Sequence, residues 1–236
     1  YNLNRKNNDL KFFEFGKTYS ADESGHYAEK NHLALYITGN ADSQGWKARA
    51  QKTDFFFAKA VLEKIIALLG LKVDAYMPSE NAGLSDCLQA LINKEPVAQI
   101  GMAGTKKLEY FDIKQPVFYV DLDWDKLLLL NKKTNIRYQE ISKYPAVNRD
   151  LSIVVNKALP YESVEKATRA AGIKKLRTIS LFDIFESEKI GAGKKSMAVS
   201  FTFQDEEKTL TDKEIDGMMS RIITSFEKEL NAEIRK

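Results

Sequence analysis

Ser196-Met197-Ala198-Val199-Ser200-Phe201-Thr202-Phe203-Gln204 alternates large apolar residues with small or polar ones without a break. Side chains along a strand point to opposite faces in turn. Met197, Val199, Phe201 and Phe203 therefore define a buried face, and Ala198, Ser200 and Thr202 an outward one. Upstream, Lys175 to Glu186 reads as another long strand, and the polar turn between them, with Gly191 and Gly193, makes the two a hairpin. Arg149 to Asn156 is a further strand with Leu151, Ile153 and Val155 on one face. Tyr161 to Ala171 reads as a helix ending at Gly172. Thr211 opens a second helix, with Glu214 three residues on completing a capping box, and it runs to about Leu230. Glu233-Ile234-Arg235 closes the series as a short strand.

A β-α-β-β-α-β series is the ferredoxin-like split unit, in which two helices cover one face of a four-stranded antiparallel sheet and leave the other open. Asp150, Ser152 and Val154 share that open face with Ala198, Ser200 and Thr202, and such small and polar groups leave room for something flat, such as a base. Lys174, Lys175 and Arg177 begin the second strand and Lys194 and Lys195 the third, so the hairpin sets them at opposite ends, where with Arg149 they frame the sheet. Phosphate contacts supply much of the affinity for RNA, while unstacked bases are read by stacking and edge hydrogen bonds. On the residues alone, an RNA platform and a solvated surface both stay open.

The region before it, roughly 1–140, is expected to be an antiparallel sheet with helices against it. Lys11 to Tyr19 and Asn31 to Thr38 read as strands that pair. From Asp54 to Leu69, apolar residues recur at helical spacing, with Thr53 or Asp54 as cap and Gly70 just past the end. Leu71 to Met77, Pro96 to Met102 and Val117 to Leu122 are strand candidates, Leu84 to Asn93 a helix, Gly101 to Gly104 a turn and Trp124 to Leu130 a short helix. A boundary falls near 135–145, giving domains at 1–140 and 143–236. The fold class is α+β.

A chain of 236 residues is comfortable for two cores. Its 44% hydrophobic and 29% charged residues exclude a disordered or fibrous chain, and a net charge of +3 from 36 basic and 33 acidic residues allows polyanion contact only through local patches. One cysteine, Cys87, makes no internal disulfide, suits a reducing cytoplasm and reads as a small buried hydrophobe. No apolar stretch approaches the ~20 residues that span a bilayer, and no signal core opens the chain. Because it begins with Tyr1 and enters ordered sequence at once, a fragment of something larger is expected.

Signals of catalysis are weak. His26 and His32 stand six apart across a polar loop, so neither a zinc site nor a nucleophile with its base is expected. Gly191 to Ser196 resembles a phosphate loop only superficially, since Glu188 stands where its first glycine belongs and strands flank it. Gly101 and Gly104 meet no dinucleotide fingerprint. Asp121, Asp123 and Asp125 alternate as oxygen ligands for a cation can, but they overlap a helix start, where acids serve as caps. No catalytic or metal-binding residue is expected.

From Lys143 onward the chain resembles the ferredoxin-fold anticodon-binding domain of the bacterial phenylalanyl-tRNA synthetase beta subunit. The resemblance is carried by the runs at 144–151 (YPAVNRDL), 181–187 (LFDIFES), 191–204 (GAGKKSMAVSFTFQ) and 207–216 (EKTLTDKEID). Phe12 to Tyr19, the helix entry at Asp54 to Phe57 and Gly101 to Gly104 look like the synthetase-like, non-catalytic domain before it. Many members carry His-Pro-Gly where this chain has Ser79 to Gly83, so no role passes to that stretch. The resemblance implies an antiparallel class II synthetase-like sheet that has lost its active site, and no run here pairs apolar glycines with a terminal arginine to hold ATP.

Further implications concern the parent complex. An alpha subunit would perform the ATP- and magnesium-dependent ligation of phenylalanine to tRNA(Phe) within an (αβ)2 cytoplasmic assembly, the first domain would pack on that subunit, and the second would reach the anticodon. This segment would need no cofactor, DNA or membrane. Arg149, Lys194 and Lys195 are then expected on phosphates, and Asp150, Ser152, Asp183, Phe185 and Ser200 on bases. A competing reading makes the chain mainly an interaction scaffold. Phe12, Phe13, Phe15, Phe55, Phe56 and Phe57 would be its docking surface, although such aromatics are more commonly core. A stand-alone enzyme with a carboxylate pair is the remaining alternative.

Overall fold

A computed structural model describes residues 1–23, 25–42, 46, 50–132, 138 and 140–235. The chain divides into two compact units, Tyr1–Arg137 and Tyr138–Lys236.

In the first unit, strands β1 (Leu10–Ala21) and β2 (Tyr27–Thr38) form a long antiparallel hairpin in register from Leu10 opposite Thr38 to Ala21 opposite Tyr27. Helix α1 (Phe55–Leu68) starts where the Asp54 carboxylate accepts the Phe57 amide at 2.7 Å, and it buries Ala58, Leu62 and Ile66, one apolar stripe at i, i+4 and i+8. Gly70, at φ +68°, takes the left-handed conformation just beyond its end. There follow β3 (Ala75–Pro78), β4 (Leu84–Ile92), β5 (Glu95–Ala103), α2 (Thr105–Tyr110), β6 (Val117–Asp123) and α3 (Trp124–Asn131). The sheet order is β1-β2-β6-β5-β4-β3. Leu33, Leu35 and Ile37 of β2, Val97 and Ile100 of β5, and Val120 and Leu122 of β6 pack with the α1 stripe and Leu127 into one core.

Three local expectations are corrected. Leu84 to Asn93 is strand β4, not a helix. Leu84, Cys87, Leu88 and Leu91 do stand at helical spacing, yet the chain bulges between Ser85 and Leu88 with Asp86 at φ +48°, and Leu88, Ala90 and Ile92 then turn toward the core with period two. Gly101 lies within β5 opposite Tyr119 rather than in a turn, and of Leu71 to Met77 only Ala75–Met77 joins the sheet. Cys87 is buried and unpaired, and its thiol is pushed up by that burial. The aspartates diverge. Asp123 accepts the Lys126 amide as the α3 cap, Asp121 meets His32 Nδ1 at 2.9 Å, and Asp125 accepts the Asn31 backbone amide at 2.8 Å and its side-chain amide at 2.9 Å.

The second unit runs β7 (Val147–Asn156), α4 (Tyr161–Ala170), β8 (Leu176–Phe185), β9 (Lys194–Phe203), α5 (Asp212–Leu230) and β10 (Glu233–Arg235). Its sheet order is β10-β7-β9-β8, with every pairing antiparallel. That is the split ferredoxin-like arrangement. Met197, Val199, Phe201 and Phe203 of β9 meet Ile153 and Val155 of β7, Val164 and Ala167 of α4, and Ile215, Ile222 and Phe226 of α5. Thr211 and Glu214 form the reciprocal cap that starts α5.

Candidate functional site

Register places each outward side chain of the second unit's sheet. Asp150 of β7 stands opposite Ser200 of β9, which stands opposite Ser180 of β8. One step along, Ser152 lies opposite Ala198 and Ala198 opposite Asp183, while Arg235 of β10 flanks Ser152. On the other side of the first row lie Asn148, Thr202 and Thr178. Neighbouring strands are ~4.8 Å apart, so these rows form a patch that a nucleotide base can cover. Asp150, Ser152, Asp183 and Ser200 are thereby brought together, and Phe185 sits two residues past Asp183 on the same face, 51% exposed.

The last two arrive there through a bulge. Thr178 and Ser180 point outward with even numbers, and strict alternation would turn Asp183 and Phe185 to the helices. A register shift between Leu181 and Asp183 inserts an extra residue, after which odd positions face outward, and Phe182 is left 58% exposed. Simple alternation finds Thr178 and Ser180; nothing in the residue pattern marks the bulge. Arg235 joins the patch only because β10 pairs with β7.

The expected phosphate contacts do not stay together. Arg149 pairs with the buried Phe201 and so lies on the helix side, where its guanidinium meets Asp212 at the start of α5 at 2.8 Å. Lys195, opposite Val155, has the same orientation. Lys194 alone of the three is on the open face, at its end opposite Asn156, and it is paired with Glu233. Other cations at the margin are also paired: Lys157 with Glu186 at 2.5 Å, Arg177 with Glu206 at 2.6 Å and Lys175 with Asp205 at 2.7 Å. Exposed pairs of this kind are worth only ~0–1 kcal/mol, so a phosphate can compete for the cation. Among the described residues, Lys195 and Arg235 have no acidic partner within 4.0 Å.

Carboxylates at the centre of the patch repel phosphate and accept hydrogen bonds from base amino groups. The arrangement thus suits a base on the sheet with its backbone at the rim. It offers no nucleophile with an adjacent base, and among the described residues no three His, Cys, Asp or Glu side chains gather as a metal site. No described helix is long and apolar enough to cross a membrane.

Comparison with known proteins gives the same division. The ferredoxin-fold anticodon binding domain family matches residues 142–235, and the phenylalanyl tRNA synthetase beta chain CLM domain family matches 1–124. The phenylalanine–tRNA ligase beta subunits of Bacteroides fragilis and Bacteroides thetaiotaomicron are each 37% identical over 249 aligned positions, and that of Streptococcus pneumoniae 35% over 243. In each case all of this chain aligns, and it spans 30% of the relative's length. Among solved structures, the pyrrolysyl-tRNA synthetase of Desulfitobacterium hafniense aligns over 53% of this chain and 43% of its own, at 16% identity and a TM-score of 0.39. Matched in order along both of its units, the chain belongs to the phenylalanyl-tRNA synthetase beta-chain family.

Proposed function

We propose that this chain is the non-catalytic part of a phenylalanine–tRNA ligase beta subunit that holds the anticodon region of tRNA(Phe) and docks on the catalytic alpha subunit. The observation that carries this reading is the row of Asp150, Ser200 and Ser180 beside that of Ser152, Ala198 and Asp183, open and polar, in a unit matched by an anticodon-binding family. Asp150 and Asp183 accept base amino protons, Ser152 and Ser200 add hydroxyls, and Phe185 stacks at the edge strand. On the open face Lys194 and Arg235 take phosphates, Lys194 after exchanging its carboxylate, while Arg149 and Lys195, on the helix side, reach only backbone that wraps past the edge of the sheet.

Holding the anticodon fixes the distant acceptor end in the partner's active site, where ATP and magnesium supply the chemistry. Binding is thereby converted into orientation, which lowers the barrier of a bimolecular step. The whole assembly works in the cytoplasm as an (αβ)2 complex.

Docking is supported by the first unit's outer hairpin. Phe13 is 71% and Phe15 58% exposed on edge strand β1, with Phe12 and Tyr19 also exposed, while Phe55 and Phe57 pack on the core and Phe56 does not. Exposed aromatics on an unpaired edge mark an interaction surface. The anticodon reading is tested by titrating the chain with tRNA(Phe) and with the same tRNA carrying a substituted anticodon. Weaker binding of the substituted tRNA, and of tRNA(Phe) to Asp183→Ala or Phe185→Ala, is expected. Equal binding throughout would reduce the sheet to a nonspecific surface and leave the docking role.

A further inference from the structure

Two ion pairs cross at one end of the second unit's sheet. Lys157 follows β7 and Glu186 follows β8, so their pair, at 2.5 Å, bridges the end of β9. Lys194 opens β9 opposite Asn156 and Glu233 opens β10 opposite Val154, so their pair bridges β7. Each pair steps over one inner strand of the order β10-β7-β9-β8, and together they tie all four strands. The Lys157 amide donates to the Gly193 carbonyl at 2.8 Å, which holds the backbones of Lys157 and Lys194 side by side.

The row that these pairs border is closed. Register sets Glu233, Val154, Ser196 and Phe185 side by side on the face away from the helices. Val154 is nevertheless only 9% and Ser196 6% exposed, and Val154 is no part of the core beneath the helices. One row along, Ser152 and Ala198 are half-buried. A base can therefore rest on the rows of Asp150 and Ser152 and not on that of Val154. The closing charges balance, two lysines against two glutamates, and all four side chains are at least 40% exposed. Such pairs are weak, and a phosphate offers the same lysine a charge-assisted hydrogen bond in place of the carboxylate's.

From the crossing and the closed row we propose that Lys157 and Lys194 are phosphate contacts kept masked by Glu186 and Glu233, an ionic latch that an RNA backbone opens as it settles on the sheet. Opening replaces each carboxylate by a phosphate and returns Glu186 and Glu233 to solvent. The freed carboxylate takes up a cation as the phosphate releases one, so a masked lysine adds little to the salt dependence of binding. RNA with only its backbone to offer is thereby denied the affinity of bare lysines, and the base contacts decide what stays bound. The proposal rests on the sheet being an RNA face and not on which bases it reads.

The experiment is a titration of three forms of the 236-residue chain with tRNA(Phe) and with the anticodon-substituted tRNA, at several salt concentrations: the parent, Glu186→Gln/Glu233→Gln and Glu162→Gln/Glu227→Gln. The last pair removes the same charge from the helices, where Glu162 masks Lys166 at 2.6 Å. The latch variant is expected to bind both tRNAs about ten-fold more tightly at low salt, with a salt slope steeper by about 1. The helix variant should differ from the parent by less than about two-fold. The methyl resonances of Val154 should shift when RNA is added to the parent, and should already be displaced in the free latch variant. Unchanged affinity and slope in the latch variant, an equal gain in the helix variant, or Val154 unmoved in both settings would each overturn the proposal. Equal binding of the two tRNAs by the parent would overturn the anticodon reading alone, because the latch is judged by variant against parent.

Discussion

Glu214 binds Lys208 at 2.6 Å, accepts the Thr211 amide at 3.0 Å and accepts the Thr211 hydroxyl at 2.9 Å, so the charged carboxylate is what starts α5. Chiefly through Lys208 and then Thr211, its pKa falls from an ordinary 4.5 to about 2. Because the folded group titrates below the unfolded one, its stabilisation is complete above pH 4.5 and is lost as the pH falls through about 2. Glu214→Gln is expected to be less stable than the parent at pH 7 and equal to it near pH 2, as read by urea unfolding at several pH values. Thr211→Ala, which removes the other half of the cap, should cost about 1 kcal/mol at neutral pH. The Thr211–Glu214 spacing was plain in the sequence because capping is local; the Arg149 to Asp212 pair, 63 residues apart, was not.

Strand β9 sets a core residue and a residue of the proposed RNA face side by side. Phe201 is fully buried under α5, and Phe201→Ala should cost ~3–5 kcal/mol by removing a large side chain from a packed interior. Ser200→Ala, one position away on the open face, should change the unfolding free energy by less than ~0.5 kcal/mol while weakening tRNA(Phe) binding. Denaturation and tRNA titration of the same two variants check both halves. The two faces of β9 were legible from alternation alone, as were the buried side of β7 and the helices α1, α3 and α5. β4 is not legible from pattern, because its leucines repeat with the helical period and only its neighbours in the sheet decide between the two. The bulge of β8 was hidden for the same reason: a register shift costs one residue and has no composition of its own.

Over the whole chain, 36 basic and 33 acidic residues leave +3, and much of the margin of the second sheet is already neutralised by its own carboxylates. RNA affinity should therefore depend only shallowly on salt. With about three phosphates engaged, the logarithm of the association constant is expected to fall with a slope near −2 against the logarithm of salt, and a slope steeper than about −5 would show a backbone grip much broader than this rim. Ranked by chain separation, the strand pairs of the second unit also form a timetable. The β7–β9 ladder joins residues 38 apart at Asn156 and Lys194 and 56 apart at Val147 and Phe203, whereas the β8–β9 hairpin closes across 11 residues at Phe185 and Ser196. Closing a longer loop costs more entropy before any contact compensates it, so the hairpin should form first and β7 be captured late. Until β10 pairs beside it, β7 has a bare edge, and the refolding chain is most vulnerable to misassociation in that interval.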